Sequence, residues 1–345
     1  MWRWLSMLTA VATLSLSTAS AVDTSRGQTS EEEGRVLWKD GRAAAEEGRC
    51  ADAVAPLSRL VDRYPGHEGY IRAHLLLGEC LLALGDAKAA LKPLRYFVSG
   101  SANETRPEAR ELFGRGRASL ARAYLAAGRF QEAFLTAEEI LKRSPGAEGM
   151  LLKARAQIGL GQLERAEKSL GDARRGVTAT SSAALRGEAA WTRMRLETRH
   201  CEKLPARGKM DEAQARNQIE RRGNCLLGAA LHAREAIASG DPEWSRLAEA
   251  EAREASSSFR AACSNPPDPL PLRKGRRTAV EVLKYRSELA DVFARDCAAK
   301  LTSAIGMVEG WSKELPAKAA PYLGGIRDAL KGELERLGKE RRAEG

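Results

Sequence analysis

The chain has 345 residues, a formal net charge of +10, 43% hydrophobic residues and only 5% aromatic residues. That length exceeds a single helical core and points to two domains. The wealth of Ala, Leu, Glu and Arg, with few alternating β-branched runs, excludes a sheet-based fold and predicts an all-α protein. The basic excess is spread along the chain instead of gathered in one tail, so it reads first as a soluble, self-repelling surface.

At the N-terminus, Met1-Trp2-Arg3 is a short cationic start and Leu5 to Leu16 an apolar stretch diluted with Ser and Thr. Ala19-Ser20-Ala21 then gives the small-x-small pattern of a cleavage site. Residues 1–21 therefore read as a cleaved secretory signal, with the mature protein starting near Val22 and exported to the periplasm or beyond the cell. The apolar stretch falls short of the roughly 20 residues a membrane-crossing helix needs, and no later stretch reaches it. All six cysteines (Cys50, Cys80, Cys201, Cys225, Cys263 and Cys297) follow the leader. An even count behind a leader predicts disulfides, and the absence of any Cys-x-x-Cys pair argues against a zinc knuckle or a thioredoxin-like site.

Between residues 30 and 180 the organising signal is a repeat. Gly48, Gly85, Gly128 and Gly161 each break two helical patterns. Five residues after each comes Ala: Ala53, Ala90, Ala133 and Ala166. Seven before each comes a small residue: Gly41, Gly78, Ala121 and Ala154. Larger apolar residues such as Leu57, Leu94, Leu60 and Phe97 fall between these marks, and Pro65 and Pro145 close two of the units. Each position has a physical task. The glycine supplies a turn conformation costly for any residue with a Cβ. The two small residues let paired helices cross closely, and proline ends the second helix.

Four such units in register resemble the tetratricopeptide repeat, whose period is about 34 residues. Extra residues over Ser99–Pro107 lie between the second and third units, and Gln157 and Thr178 make the fourth the most divergent. The resemblance implies stacked α-hairpins whose first helices line a concave face for a peptide or partner helix. Placed on this chain, that face takes Arg35, Trp38 and Arg42 from the first unit, and Arg72, Leu75 and Glu79 from the second. Arg115, Ala118 and Arg122 come from the third, and Glu148, Leu151 and Arg155 from the fourth. An arginine-lined groove with an exposed Trp and apolar floor suits an acidic or C-terminal peptide, since the guanidinium fork matches a carboxylate. Reflecting residue 50 through the turn at Pro65–Gly66 brings it level with residue 81, which predicts a Cys50–Cys80 bond between units one and two.

Beyond residue 182 the repeat register is lost. Helices are expected over Ala183–His200, over Asp211–Ser239 with Asp211 as N-cap, and from Asp241-Pro242-Glu243 to about Cys263. A proline-rich loop over Ser264–Arg277, a long amphipathic helix over Thr278–Leu315 and a last helix over Tyr322–Arg341 complete a C-terminal helical bundle, residues 183–345. The remaining four cysteines allow three pairings; chain order favours Cys201–Cys225 and Cys263–Cys297.

No catalytic constellation emerges. His67, His74, His200 and His232 form no His-Glu-x-x-His site, and no nucleophile elbow, phosphate loop or dinucleotide fingerprint is present. No cofactor or metal is expected. Exposed aromatics interleaved with basic residues are missing, which argues against nucleic acid. The expected function is a non-catalytic protein-interaction scaffold of the bacterial envelope. The alternative is a module for an envelope polyanion such as lipopolysaccharide or cell-wall glycan, with the basic run at 273–277 as a peripheral contact.

Overall fold

The computed structural model describes residues 17–100, 107–204, 209–271 and 277–344. The expected leader therefore falls outside the described residues except for 17–21, as do 101–106 of the loop between the second and third repeats and 273–276 of the basic run. Among the described residues the chain is all-α, with thirteen α-helices and a single two-residue parallel pairing of Lys209–Met210 with Asp268–Pro269. It divides into two compact units, residues 1–136 and 137–345.

The first unit is a stack of tetratricopeptide-like hairpins. Helices α1 (Ser17–Glu46) and α2 (Cys50–Arg63) form one hairpin and α3 (Tyr70–Ala83) and α4 (Ala87–Gly100) the next. Helix α5 (Pro107–Ala126) and the first half of α6 (Phe130–Arg143) follow. Each corner is the expected glycine at positive φ: Gly48 at 75°, Gly85 at 84° and Gly128 at 72°. At each corner the glycine N–H donates three residues back and the next N–H five back, as in Gly85 N to Leu82 O and Asp86 N to Leu81 O. These bonds satisfy the last carbonyls of the first helix.

The small residues sit where their spacing puts them. Ala53, Ala90 and Ala133 are fully buried. A Cβ built on Gly41 would lie 2.8 Å from Leu57, and one on Gly78 would lie 2.4 Å from Leu94. Those missing side chains are what let α1 meet α2 and α3 meet α4. Leu57, Leu60, Leu77 and Cys80 fill the seam between the first two hairpins. Cys50 and Cys80 stand there at disulfide distance, with Cα atoms 4.7 Å apart.

The second unit opens with the remainder of α6 and a hairpin of the same kind, α7 (Ala147–Gly159) and α8 (Leu163–Gly176), turned at Gly161 with φ 73°. Gln157, which occupies a position usually aromatic in the repeat, is buried and accepts a 2.8 Å hydrogen bond from Ser169 Oγ across the hairpin. Polar pairing there replaces aromatic packing. Helices α9 (Ala183–Glu202), α10 (Glu212–Ala238), α11 (Pro242–Cys263), α12 (Ala279–Glu314) and α13 (Ala320–Glu344) follow. Asp211 and Thr278 close reciprocal capping boxes at the starts of α10 and α12. Pro242 occupies the first turn of α11, capped by Asp241.

One corner escaped the sequence reading. Gly240 between α10 and α11 also adopts positive φ, at 82°. Ala233 seven residues before it and Ser245 five after it are both buried, in the register of the four repeats. Ser in place of the expected Ala hides this pattern. Cys201–Cys225 and Cys263–Cys297 are at disulfide distance, with Cα separations of 6.2 and 6.3 Å. Chain order is thus the pairing that the helices support.

Candidate functional site

In the first unit a cleft of about 270 Å³ crosses the first helices of the three hairpins. Ala45 and Glu46 come from α1, Arg72, Leu75 and Leu76 from α3, and Leu112 and Arg115 from α5. Leucines form the floor: Leu75 is buried, Leu76 and Leu112 half-buried. Arg72 and Arg115 are exposed at the rim. Arg72 and Arg115 share one repeat position, and the other lining residues come from different heights of the three first helices.

The rim is less cationic than the count of arginines implies. Arg115 Nε and Nη2 donate to the two carboxylate oxygens of Glu79 at 2.8 and 2.5 Å. Ser119 Oγ donates to the same carboxylate at 2.9 Å. This fork ties α3 to α5 and fixes the guanidinium at the cleft edge. Arg42 pairs with Glu46 at 2.7 Å, and Arg35 with Glu31 and Glu32 at 3.2 and 3.4 Å along its own helix. Arg122 is half-buried on α5, and Ala118 is buried.

Three expectations need correction. Trp38 is not an exposed anchor: it is half-buried and lies over Gly69, where an added Cβ would come within 2.6 Å of the indole. Gly69 leaves room for the ring, so the indole turns inward, and Arg42 covers it at 5.9 Å. Leu151 is fully buried in the core of the second unit. Arg155 also points inward, with its Nη1 2.6 Å from Glu188 and its guanidinium 5.1 Å from the rings of both Trp191 and Trp244. Two indoles and a buried carboxylate take the place of the water that would surround that cation at a helix surface, so Arg155 is a packing residue. Glu148 remains exposed on α7.

The sequence reading missed Glu46, Leu76 and Leu112 as lining residues, and it missed that Glu79 and Arg115 are a pair. The repeat register hides that pair, because Glu79 and Arg115 stand seven residues apart in repeat position and meet only through the way α3 packs on α5.

Among the described residues, no group of three or more His, Cys, Asp or Glu side chains could hold a metal ion. No helix among them is long and apolar enough to cross a membrane.

No family model matches the chain, and no curated protein matches its sequence. It is similar to a tetratricopeptide repeat protein from Parabacteroides merdae ATCC 43184. That crystal structure gives a TM-score of 0.40 at 12% identity, over 87% of this chain and 99% of the other. The tetratricopeptide-like description of the first unit stands on its glycine corners and buried alanines alone.

Proposed function

We propose that the chain is a non-catalytic interaction scaffold of the bacterial periplasm or cell envelope, and that the cleft of the first unit grips a partner protein. The cleft carries this reading. An apolar floor of Leu75, Leu76 and Leu112 with Arg72 at the rim suits an amphipathic helix or extended peptide with an acidic residue beside its apolar anchors. Three cysteine pairs at disulfide distance fit an oxidising compartment, in keeping with the leader expected over 1–21. The polyanion alternative is weaker on this face, because Arg35, Arg42 and Arg115 are already paired with acids of the chain itself.

A photo-crosslinking residue at position 72, compared with one at the exposed Leu231 of the second unit, tests the reading in the native envelope. One protein should crosslink at 72 and not at 231, and Arg72→Glu should weaken its binding about tenfold. Binding unchanged by Arg72→Glu combined with Leu112→Asp would refute it. So would an affinity that collapses between low and physiological salt, as a polyanion's should.

A further inference from the structure

A second cleft, wholly within residues 137–345, has a different chemistry. It encloses about 450 Å³ beside α8, α9 and α10, a size usual for small-molecule sites. Its walls carry four arginines, Arg174, Arg186, Arg193 and Arg234, against a single acid, Glu235. The rest of the lining is Ala, Thr and Ser, with Val177 the one larger apolar side chain. Such walls offer a peptide no pocket for an anchor residue.

Two of the four cations have structural work. Arg186 donates from Nη1 to the carbonyls of Ala179, at 3.1 Å, and Ser181, and from Nη2 to Ser239 at 3.4 Å. It thereby fastens the loop after α8 to the end of α10. Arg234 pairs with Glu314 at 3.0 Å. Arg174 and Arg193 differ: neither makes an ion pair among the described residues. The one acid is already engaged, since Glu235 lies 3.3 Å from Nδ1 of the buried His232, whose Nε2 is 2.9 Å from Glu197. Hydrogen bonding to His232 holds the Glu235 carboxyl below its ordinary range against the opposing effect of burial, with the charge of His232 and then those of Arg193 and Arg174 adding to it. The walls of the cleft therefore carry a positive excess, with Arg174 and Arg193 both near enough to Glu235 to act on its charge. Arg186 and Arg193 lie two turns apart on α9 with only Ala189 and Ala190 lining the cleft between them, so an incoming group can approach the helix closely.

We propose that this cleft binds a compact, multiply charged oxyanion, a phosphate group borne on a small molecule, with Arg174 and Arg193 as its direct ligands. Arg186 and Arg234 are positioning residues that hold the walls. Guanidinium forks match phosphate oxygens in geometry, and each fork contributes a charge-assisted pair of hydrogen bonds. This site is independent of the cleft in the first unit, so either can fail alone.

Titration calorimetry on the purified full chain tests it, with inorganic phosphate, pyrophosphate and glucose 6-phosphate as phosphate probes. Citrate and a tetra-aspartate peptide serve as carboxylate probes. Saturable one-to-one binding of a phosphate probe is expected, weakened about tenfold by Arg193→Gln and abolished by Arg174→Gln with Arg193→Gln. Glu235→Gln should tighten it severalfold. Arg193→Lys keeps the charge and loses the fork, and should fall between wild type and Arg193→Gln; it covers the case in which the double variant does not fold. Glucose 6-phosphate binding above inorganic phosphate identifies an ester as the ligand, and the reverse a free phosphate; both support the site. Three results overturn it: no saturable binding of any phosphate, equal affinity in the correctly folded double variant, or tighter binding of the carboxylates.

Discussion

The two compact units share close glycine crossings, Gly187 against Trp244 included, but the second adds ion pairs between helices with more deeply buried carboxylates. In residues 1–136 helices meet where side chains are missing: Gly41 faces Leu57, Gly78 faces Leu94 and Gly116 faces Phe97. In residues 137–345 helices are also tied by ion pairs whose carboxylates are buried. Arg155 meets Glu188 at 2.6 Å, Arg195 meets Glu251 at 2.6 Å, and Arg260 meets Glu333 at 2.7 Å, each carboxylate side chain at most 8% exposed. Close apolar contact has no unique partner, so it can be repeated from hairpin to hairpin and leaves equivalent faces aligned. A buried ion pair demands one specific partner, so it serves a bundle in which every helix contact is different. The first arrangement lays successive first helices beside one cleft, and the second fixes irregular contacts around a single larger core.

The largest effect should come from stranding a buried charge. Arg195→Ala leaves Glu251, which also accepts a 2.6 Å hydrogen bond from Thr198 Oγ1, without its cation. Urea denaturation should show a loss of about 3 kcal/mol, while Arg195→Met with Glu251→Leu should restore most of it. A double variant no more stable than the single one would mean that the pair is not what ties α9 to α11. Next comes overpacking in the first unit. The Cβ of Gly78→Ala would lie 2.4 Å from Leu94 Cγ, against a fully buried side chain, and should cost about 1–3 kcal/mol. Gly78→Ala with Leu94→Val should recover part of that loss, which would locate the strain at this crossing.

The smallest effect sharpens the contrast through pH. His74 of the first unit stacks on Tyr96 at 4.2 Å with neither ring nitrogen hydrogen-bonded among the described residues. Burial, and then the charge of Lys92, lower its pKa. His74 therefore contributes stability that is present above about pH 6.5, the unfolded value, and is lost as pH falls toward the folded pKa. For His232 of the second unit, burial pulls the pKa down, but hydrogen bonds with Glu197 and Glu235 outweigh it and the net shift is upward. Its contribution is fully present below about pH 6.5 and is lost as pH rises through the raised folded value. Acidification from about pH 8 to 5.5 should loosen α3 and tighten α9 and α10 in hydrogen exchange. His74→Phe should remove the first response and His232→Gln the second; parallel changes in both units would contradict these assignments.

Much of the architecture was legible in the residues. Gly48, Gly85, Gly128 and Gly161 marked corners because few other residues tolerate positive φ, and the alanines five residues on are buried because a longer side chain would part the helices. Asp211 and Pro242 announced helix starts through local chemistry that acts within one turn. The candidate site was legible only in part. Arg72, Leu75 and Arg115 line the cleft as their register requires. Trp38 and Arg155 do not, and no local pattern separates them from residues that do.

What the sequence determined by itself is whatever depends on backbone conformation and on spacing within a hairpin: the all-α class, the corners and the small crossing residues. Only the tertiary structure decided which cations reach solvent. Arg155 is taken inward by Glu188, 33 residues later, and by Trp244 on a further helix, whereas Arg42, at the same position of the first repeat, stays exposed beside Glu46. The cost of desolvating a guanidinium is set by groups that the chain delivers from far along its length, so Arg155 and Arg42, identical residues at equivalent repeat positions, acquire opposite fates.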